Sequence, residues 1–130
     1  MDYFISFLND LATDLFYDIT NAYGEQLFQR GACYEFAKII KHYIPEATIY
    51  MSKDHYHCAV KIDDTLYDSK GVITNPQDFY EADEEDYDHM ENTFGLELKY
   101  LNIAETIIEE MKECNIESII KKKLDEQKLI

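Results

Sequence analysis

The sequence predicts an α+β fold, with helices packed on a small, mostly antiparallel sheet. Three observations carry this. Apolar side chains recur at helical spacing over residues 3–19 and 33–43. Short strand-like runs follow at 47–51, 56–62 and 65–68. The pair Asp63-Asp64 separates the last two runs by the length of a tight hairpin turn. With 130 residues, 46% of them hydrophobic, the chain is long enough to bury one core without disulfides or metals. A single domain is therefore expected, with a core motif at about 24–74, an acidic segment at 78–92 and C-terminal helices at 103–129.

In chain order, Phe4, Leu8, Leu11, Leu15 and Ile19 form one stripe, widened by Phe7, Ala12 and Phe16, with Asp2, Asp10, Asp14 and Asp18 between them. That is an amphipathic helix. Asn21 to Gly24 breaks it, and residues 25–29 can resume a helical turn. The next helix begins near Gly31 or Ala32 and ends before the Ile44-Pro45 step, which disfavours helical geometry at residue 44. Cys33, Phe36, Ala37 and Ile40 stand at i, i+3, i+4 and i+7, so Cys33 lies on the buried face of the first turn.

If Asp63-Asp64 is a two-residue turn, Ile62 pairs with Thr65 and Val60 with Tyr67. Side chains alternate along a strand, so His57, Ala59, Lys61, Leu66 and Asp68 share one face. His57 and Asp68 then become diagonal neighbours within reach of a hydrogen bond. Further on, Asn75-Pro76-Gln77-Asp78 has the form of a helix start. The alternation in Leu96 to Leu101 reads as a strand. Asn102 and Glu105 open a capping-box-like helix through about Lys112. A last helix, from about 116 to 129, carries Lys121, Lys122, Lys123 and Lys128.

Composition excludes several functions. A net charge of −15 argues against binding nucleic-acid phosphates, which calls for a basic face. It is compatible with a basic protein partner, including one whose own nucleic-acid groove is positive. No apolar run has the length of a membrane span, and the acidic amino terminus lacks the basic region of a signal peptide. Three cysteines at 33, 58 and 114 form no disulfide framework. A reducing cytoplasm is expected.

The chemistry lies in three residues. Thiolate is the reactive form of cysteine, and a helix amino terminus lowers a thiol's pKa through its dipole and free N–H groups. Those N–H groups can also hold an oxyanion. His57 is placed to act as general base to Cys33, with Asp68 fixing its tautomer. Taken singly, each residue has a plain packing explanation; chain order, element types and face parity together are more specific. His55 shares the strand face of His57 by parity, but a closed zinc site needs four donors. Residues 83–91 lack the glycine of a calcium loop. No metal or cofactor is expected.

Gly-Ala-Cys33 opening a helix, His57-Cys-Ala-Val-Lys-Ile on a strand, and Leu-Tyr-Asp68-Ser-Lys-Gly closing a hairpin resemble the papain-like and transglutaminase-like cysteine superfamily. The resemblance covers roughly residues 24–74. The same Cys, His-x-x-Val and Tyr-Asp-x-x-Gly pattern is similar to that of small bacterial and phage proteins. It implies a papain-like core with Cys33 as nucleophile, His57 as base and Asp68 as its orienter. It also implies an upstream oxyanion glutamine, for which Gln26 and Gln29 are the candidates. That superfamily includes peptidases, amidases, acyltransferases, deamidases and inactive relatives.

Three functions are therefore open. The first is a thiol enzyme that hydrolyses or transfers an amide or acyl group through a Cys33 acyl-enzyme, acting on a protein or other amide-containing substrate. The second is a catalytically silent acidic binding or inhibitor protein of phage or mobile-element type. In that case Asp83, Glu84, Glu85, Asp86 and Asp88, interleaved with tyrosines, imitate a phosphate backbone and occupy a basic groove. The third is a plain structural partner subunit.

Overall fold

The computed structural model of this chain describes residues 1–128, with side chains through Lys122. Among these residues, six α-helices pack on a five-stranded antiparallel sheet, so the fold is α+β. Helix α1 (Asp2–Thr20) buries the i+4 row Phe4, Leu8, Ala12 and Phe16, together with Ile5. Leu11 and Leu15 flank that row and are partly buried. Ile19, expected on the buried stripe, is 59% exposed, because the row continues instead through Thr20, whose hydroxyl donates to the Phe16 carbonyl.

Helix α2 (Gly24–Gln29) follows at once. Its first residue lies directly on α1: a Cβ on Gly24 would come within 2.0 Å of the Asn9 carbonyl oxygen. Gly31, at φ +114°, then turns the chain in a conformation that side chains resist. Helix α3 (Cys33–Tyr43) begins two residues later and buries Cys33, Phe36, Ala37 and Ile40. It stops at Ile44, ahead of Pro45.

The strands are β1 (Thr48–Ser52), β2 (Cys58–Ile62), β3 (Thr65–Asp68), β4 (Gly71–Val72) and β5 (Phe79–Glu81), in the order β4-β3-β2-β1-β5. Val60 pairs with Tyr67 and Ile62 with Thr65, the register of a two-residue turn at Asp63-Asp64. Cys58, Val60 and Ile62 join the cores under α3, whereas Ala59 and Leu66 pack with Ile73 on the opposite face. The start of β2 and the end of β3 lie at the same end of the sheet, where α3 also begins.

Four expectations are corrected here. The helix expected at Pro76 is a single 3-10 turn, Pro76–Asp78. The chain then pairs with the free edge of β1, with Phe79 opposite Ser52, which captures its backbone as β5. The segment Leu96–Leu101 is a 3-10 helix rather than a strand. Left-handed residues Gly95 and Asn102 bound it, and its inward residues are Leu98 and Leu101, at i and i+3, while Leu96 and Tyr100 are exposed.

The capping box expected at Asn102 is not made, because Asn102 takes a left-handed conformation. The carboxylate of Glu35 on α3 instead accepts the Ala104 N–H at 2.9 Å and caps α5 (Ile103–Glu113). Finally, His55 and His57 both precede β2, His55 in a turn at φ 63°, so the strand parity expected for them does not apply. Helix α4 (Glu84–Thr93) lies between β5 and the 3-10 segment, and α6 (Glu117–Lys128) ends the described chain. The expected Leu129 terminus and the side chains of Lys123 and Lys128 lie outside the described residues. None of the described helices is long and apolar enough to cross a membrane.

Candidate active site

At the shared end of sheet and helix, the structure brings Cys33, His57 and Asp68 together. The turn between β1 and β2 fixes the backbone of His57. Its N–H donates to Ser52 Oγ at 3.0 Å, its carbonyl accepts the Ser52 N–H at 2.8 Å, and Ser52 Oγ donates to Asp54 at 2.6 Å. The His57 ring rests edge-on to Phe79, with centroids 6.1 Å apart. Its Nε2 meets Asp68 Oδ2 at 3.1 Å. The Cys33 thiol lies near enough to the ring for the two groups to shift each other's proton affinity.

Asp68 is itself held. Its Oδ1 accepts the Lys70 N–H at 2.9 Å, and Gln29 also favours its ionised form. The next residue, Ser69, is 1% exposed and ties this turn to two helices. Gln29 Nε2 donates to its hydroxyl at 2.8 Å, the hydroxyl donates to the Glu25 carbonyl at 3.0 Å, and Asn9 Nδ2 donates to its carbonyl at 2.8 Å. Gln29 thus supports Asp68. Gln26 is elsewhere: it is exposed and its side-chain oxygen accepts the Tyr23 N–H at the start of α2.

The electrostatics form a charge pair. The Cys33 thiol is held down to about 5, most of all by a hydrogen bond from the Cys58 side chain. Burial opposes this, while the hydrogen bond and positive charge of His57 and a backbone bond from Cys58 reinforce it. For His57, burial disfavours the proton, but the hydrogen bonds and charges of Asp68 and Cys33 outweigh it and raise the ring to about 9. Between those values the pair is thiolate and imidazolium. Asp68 is pushed up by burial yet ends below the ordinary carboxylate range, chiefly through His57 and the Lys70 N–H.

Cys58 is the residue that the sequence reading missed. It precedes Ala59 on the face toward α3, is 1% exposed, and burial together with the neighbouring Cys33 keeps it protonated. Its signal in the sequence was only that a cysteine follows the histidine. Cys58→Ala is expected to move the midpoint of Cys33 alkylation upward from about pH 5, whereas Cys58→Ser, which keeps a donor, leaves it lower than the alanine variant does. Peptide mapping of alkylation against pH reads both; equal midpoints in the two variants would refute this role.

Cys33 is 3% exposed and packs with Ala37, Ile49, Met51 and Met90, with Tyr87 and Phe94 against the same cluster. The cover over it is therefore α4 and its flanks, not α1, whose core is a separate cluster. Beside His57 and Asp68 lies a cleft of about 690 Å³, lined also by Gln29, Lys53, Lys70 and Phe79 among others; the Cys33 side chain does not line it.

The acidic segment divides. Asp83 and Asp86 form the capping box of α4: Asp83 Oδ1 accepts the Asp86 N–H at 2.9 Å and Asp86 Oδ2 the Asp83 N–H at 3.0 Å. Asp86 is buried and also accepts from the Tyr80 hydroxyl at 2.8 Å. Glu84, Glu85 and Asp88 remain exposed. His55 meets the Tyr80 hydroxyl at 3.2 Å. Among the described residues, no three histidine, cysteine or acidic side chains are grouped to hold a metal ion.

The family model described as Phage YunG-like protein matches residues 8–121 of this chain. The chain belongs to that family. The match runs from α1 into α6 and takes in Cys33, His57, Asp68 and the whole of α4. No curated protein and no solved structure matches the chain.

Proposed function

We propose that this YunG-like chain is a thiol acyl hydrolase or acyltransferase acting on amides, with the triad of papain-like and transglutaminase-like enzymes. One observation carries the reading: His57 stands between Cys33 and Asp68, with Nε2 committed to the carboxylate at 3.1 Å and the ring close enough to the thiol that each shifts the other's proton affinity. That is a nucleophile, a base and an orienter in one connected line.

In the step this arrangement supports, the Cys33 sulfur attacks the amide carbonyl carbon and the carbonyl electrons move to oxygen. Ala32 makes no side-chain cap on α3, so no capping side chain occupies the first-turn N–H groups, which are the nearest donors for that oxyanion. As the carbon–nitrogen bond breaks, His57 gives its proton to the leaving amine, leaving a thioester on Cys33. Water, or an acceptor amine, then loses a proton to His57 and attacks the thioester, releasing the acyl group and restoring the thiolate–imidazolium pair. Asp68 holds the ring and stabilises its charge throughout.

p-Nitrophenyl acetate tests this. The expected result is a burst of nitrophenolate with one acetyl group on the peptide containing Cys33, absent in Cys33→Ala. Acetyl transfer to Cys58 or Cys114 instead, or no burst, would reject the proposal. The acidic-partner reading keeps only Glu84, Glu85 and Asp88 as free carboxylates, since Asp83 and Asp86 serve the helix cap. No geometry favours it over the triad.

A further inference from the structure

Cys33 is buried, and neither hollow near it reaches the sulfur. The cleft beside His57 and Asp68 is not lined by Cys33. A second hollow, of about 440 Å³, is lined by Ala32, Phe94 and Gly95 among others, and again not by Cys33. What stands over the thiol is α4 with its flanks. Met90, fully buried, lies in the same cluster as Cys33, and Ala82, Tyr87 and Phe94 pack against that cluster. An acyl carbon has to come into van der Waals contact with the sulfur before it can react. The cover therefore has to move for the triad to turn over.

This cover is held less deeply than the helix beneath it. Helix α3, of 11 residues, buries seven of them, whereas α4, of 10, buries only Asp86 and Met90. Met90 is thus its one buried apolar side chain, and the other ties are hydrogen bonds. The Tyr34 hydroxyl, next to Cys33 on α3, donates to Glu91 Oε1 at 2.7 Å. The Tyr80 hydroxyl donates to Asp86 at 2.8 Å, and His89 Nε2 donates to the His55 carbonyl at 3.3 Å. Lys99 donates to the Glu91 carbonyl. Segments with few buried apolar groups open at a lower free energy than the core around them.

Both ends of the segment suit a swing. Sheet pairing stops at Ala82, whose N–H donates to the Ile49 carbonyl at 3.0 Å. Gly95 follows Phe94 at φ 65° and sits on the turn before Cys33, where a Cβ would lie 2.6 Å from the Gly31 carbonyl oxygen. The capping box of Asp83 and Asp86 lies inside the segment, so the helix keeps its first turn as it lifts. We infer that residues 83–94 form a lid, closed here over Cys33, which pivots near Ala82 and Gly95 to admit substrate and is latched by the Tyr34–Glu91 hydrogen bond. This rests on the thiol acyl-transfer reading above and supplies its route to the sulfur.

The test needs no known substrate. N-Ethylmaleimide reports access, since the sulfur adds to one carbon of its double bond and the other carbon takes a proton from water. Rates at Cys33 are read by peptide mapping at pH 7 in the full chain, with exposed Cys114 as internal reference. Hydrogen–deuterium exchange follows the amides of α3 and α4. In the wild type, the Cys33 rate is expected to rise little with urea below the unfolding transition, because opening a lid exposes little surface. The α4 amides should exchange faster than those of α3. In Tyr34→Phe, the Cys33 rate and α4 exchange are expected to rise together, several-fold. The Cys114 rate, α3 exchange and the pH midpoint of Cys33 alkylation should stay unchanged.

A wild-type Cys33 rate that climbs with urea along the full slope of global unfolding overturns the lid, because the thiol is then reached only in the unfolded chain. Wild-type α4 amides as protected as those of α3 overturn it too, with no substitution involved. Equal Cys33 rates in wild type and Tyr34→Phe, or a gain that comes with a moved pH midpoint, overturn the latch. The lid and the acyl chemistry fail separately. An acetyl burst at Cys33 with equal maleimide rates in the two proteins rejects the latched lid alone, and a lid that opens as expected without a burst rejects acyl transfer alone.

Discussion

In His57→Ala, alkylation of Cys33 by iodoacetamide at pH 6 is expected to slow several-fold. The wild-type thiol, with its pKa near 5, is mostly thiolate at pH 6. Without the hydrogen bond and charge of His57, burial pushes the thiol back toward its ordinary value of 9.0. With the Cys58 hydrogen bond kept, the thiol rises only part of the way, and the thiolate fraction at pH 6 falls accordingly. The more basic thiolate is intrinsically the better nucleophile, which offsets part of that loss.

The wild-type profile follows from the same signs. The rate climbs as pH rises through about 5, where Cys33 loses its proton, and holds to about 9. Above about 9, His57 loses its proton. The thiolate persists there, so alkylation continues while acyl turnover, which needs the imidazolium as acid, declines. An identical rate and profile in His57→Ala would show that His57 has no hold on the thiol.

Gly24→Ala is expected to destabilise the fold by about 3 kcal/mol, the upper end of what overpacking costs, and to lower the thermal midpoint by roughly 10 °C. The new methyl would sit 2.0 Å from the Asn9 carbonyl oxygen and 2.9 Å from its Cα. Both are backbone atoms in the middle of α1, so no side chain can swing aside, and α2 must move as a body. That movement reaches the site, because α2 supplies Glu25 and Gln29 to the Ser69 turn behind Asp68. Cys33 alkylation should therefore slow as well, although the substituted residue touches none of the triad. Urea unfolding and the mapping assay read the two effects; a variant with wild-type stability would contradict the close approach.

Where sequence reasoning reached the structure, it did so through local periodicity and short turns. The Asp63-Asp64 turn set the β2–β3 register, and with it the closeness of His57 to Asp68. The helix carrying Cys33 followed from four apolar positions and the proline behind it. What escaped it depended on partners far along the chain. Phe79–Glu81 is a strand only because β1 offers a free edge, and three residues after a 3-10 turn carry no periodicity of their own. Leu96–Leu101 alternates like a strand, yet no edge receives it and its flanks are left-handed. Asn102 and Glu105 had the right spacing for a cap, but a carboxylate from α3 took that place. Cys58 looked like strand filler, since its effect on Cys33 exists only once α3 lies over β2.

The sheet ends in β4, two residues long, and β5, three residues long, with the longer strands β1 and β2 in its interior. Outer strands are where a neighbouring copy would extend a sheet by backbone pairing, and such extension needs a row of open N–H and C=O groups. Here each rim offers too few of them to template a stable intermolecular ladder, and like-charged copies at −15 repel one another as they approach. The strands around His57 and Asp68 are thereby kept from becoming the seed of an aggregate.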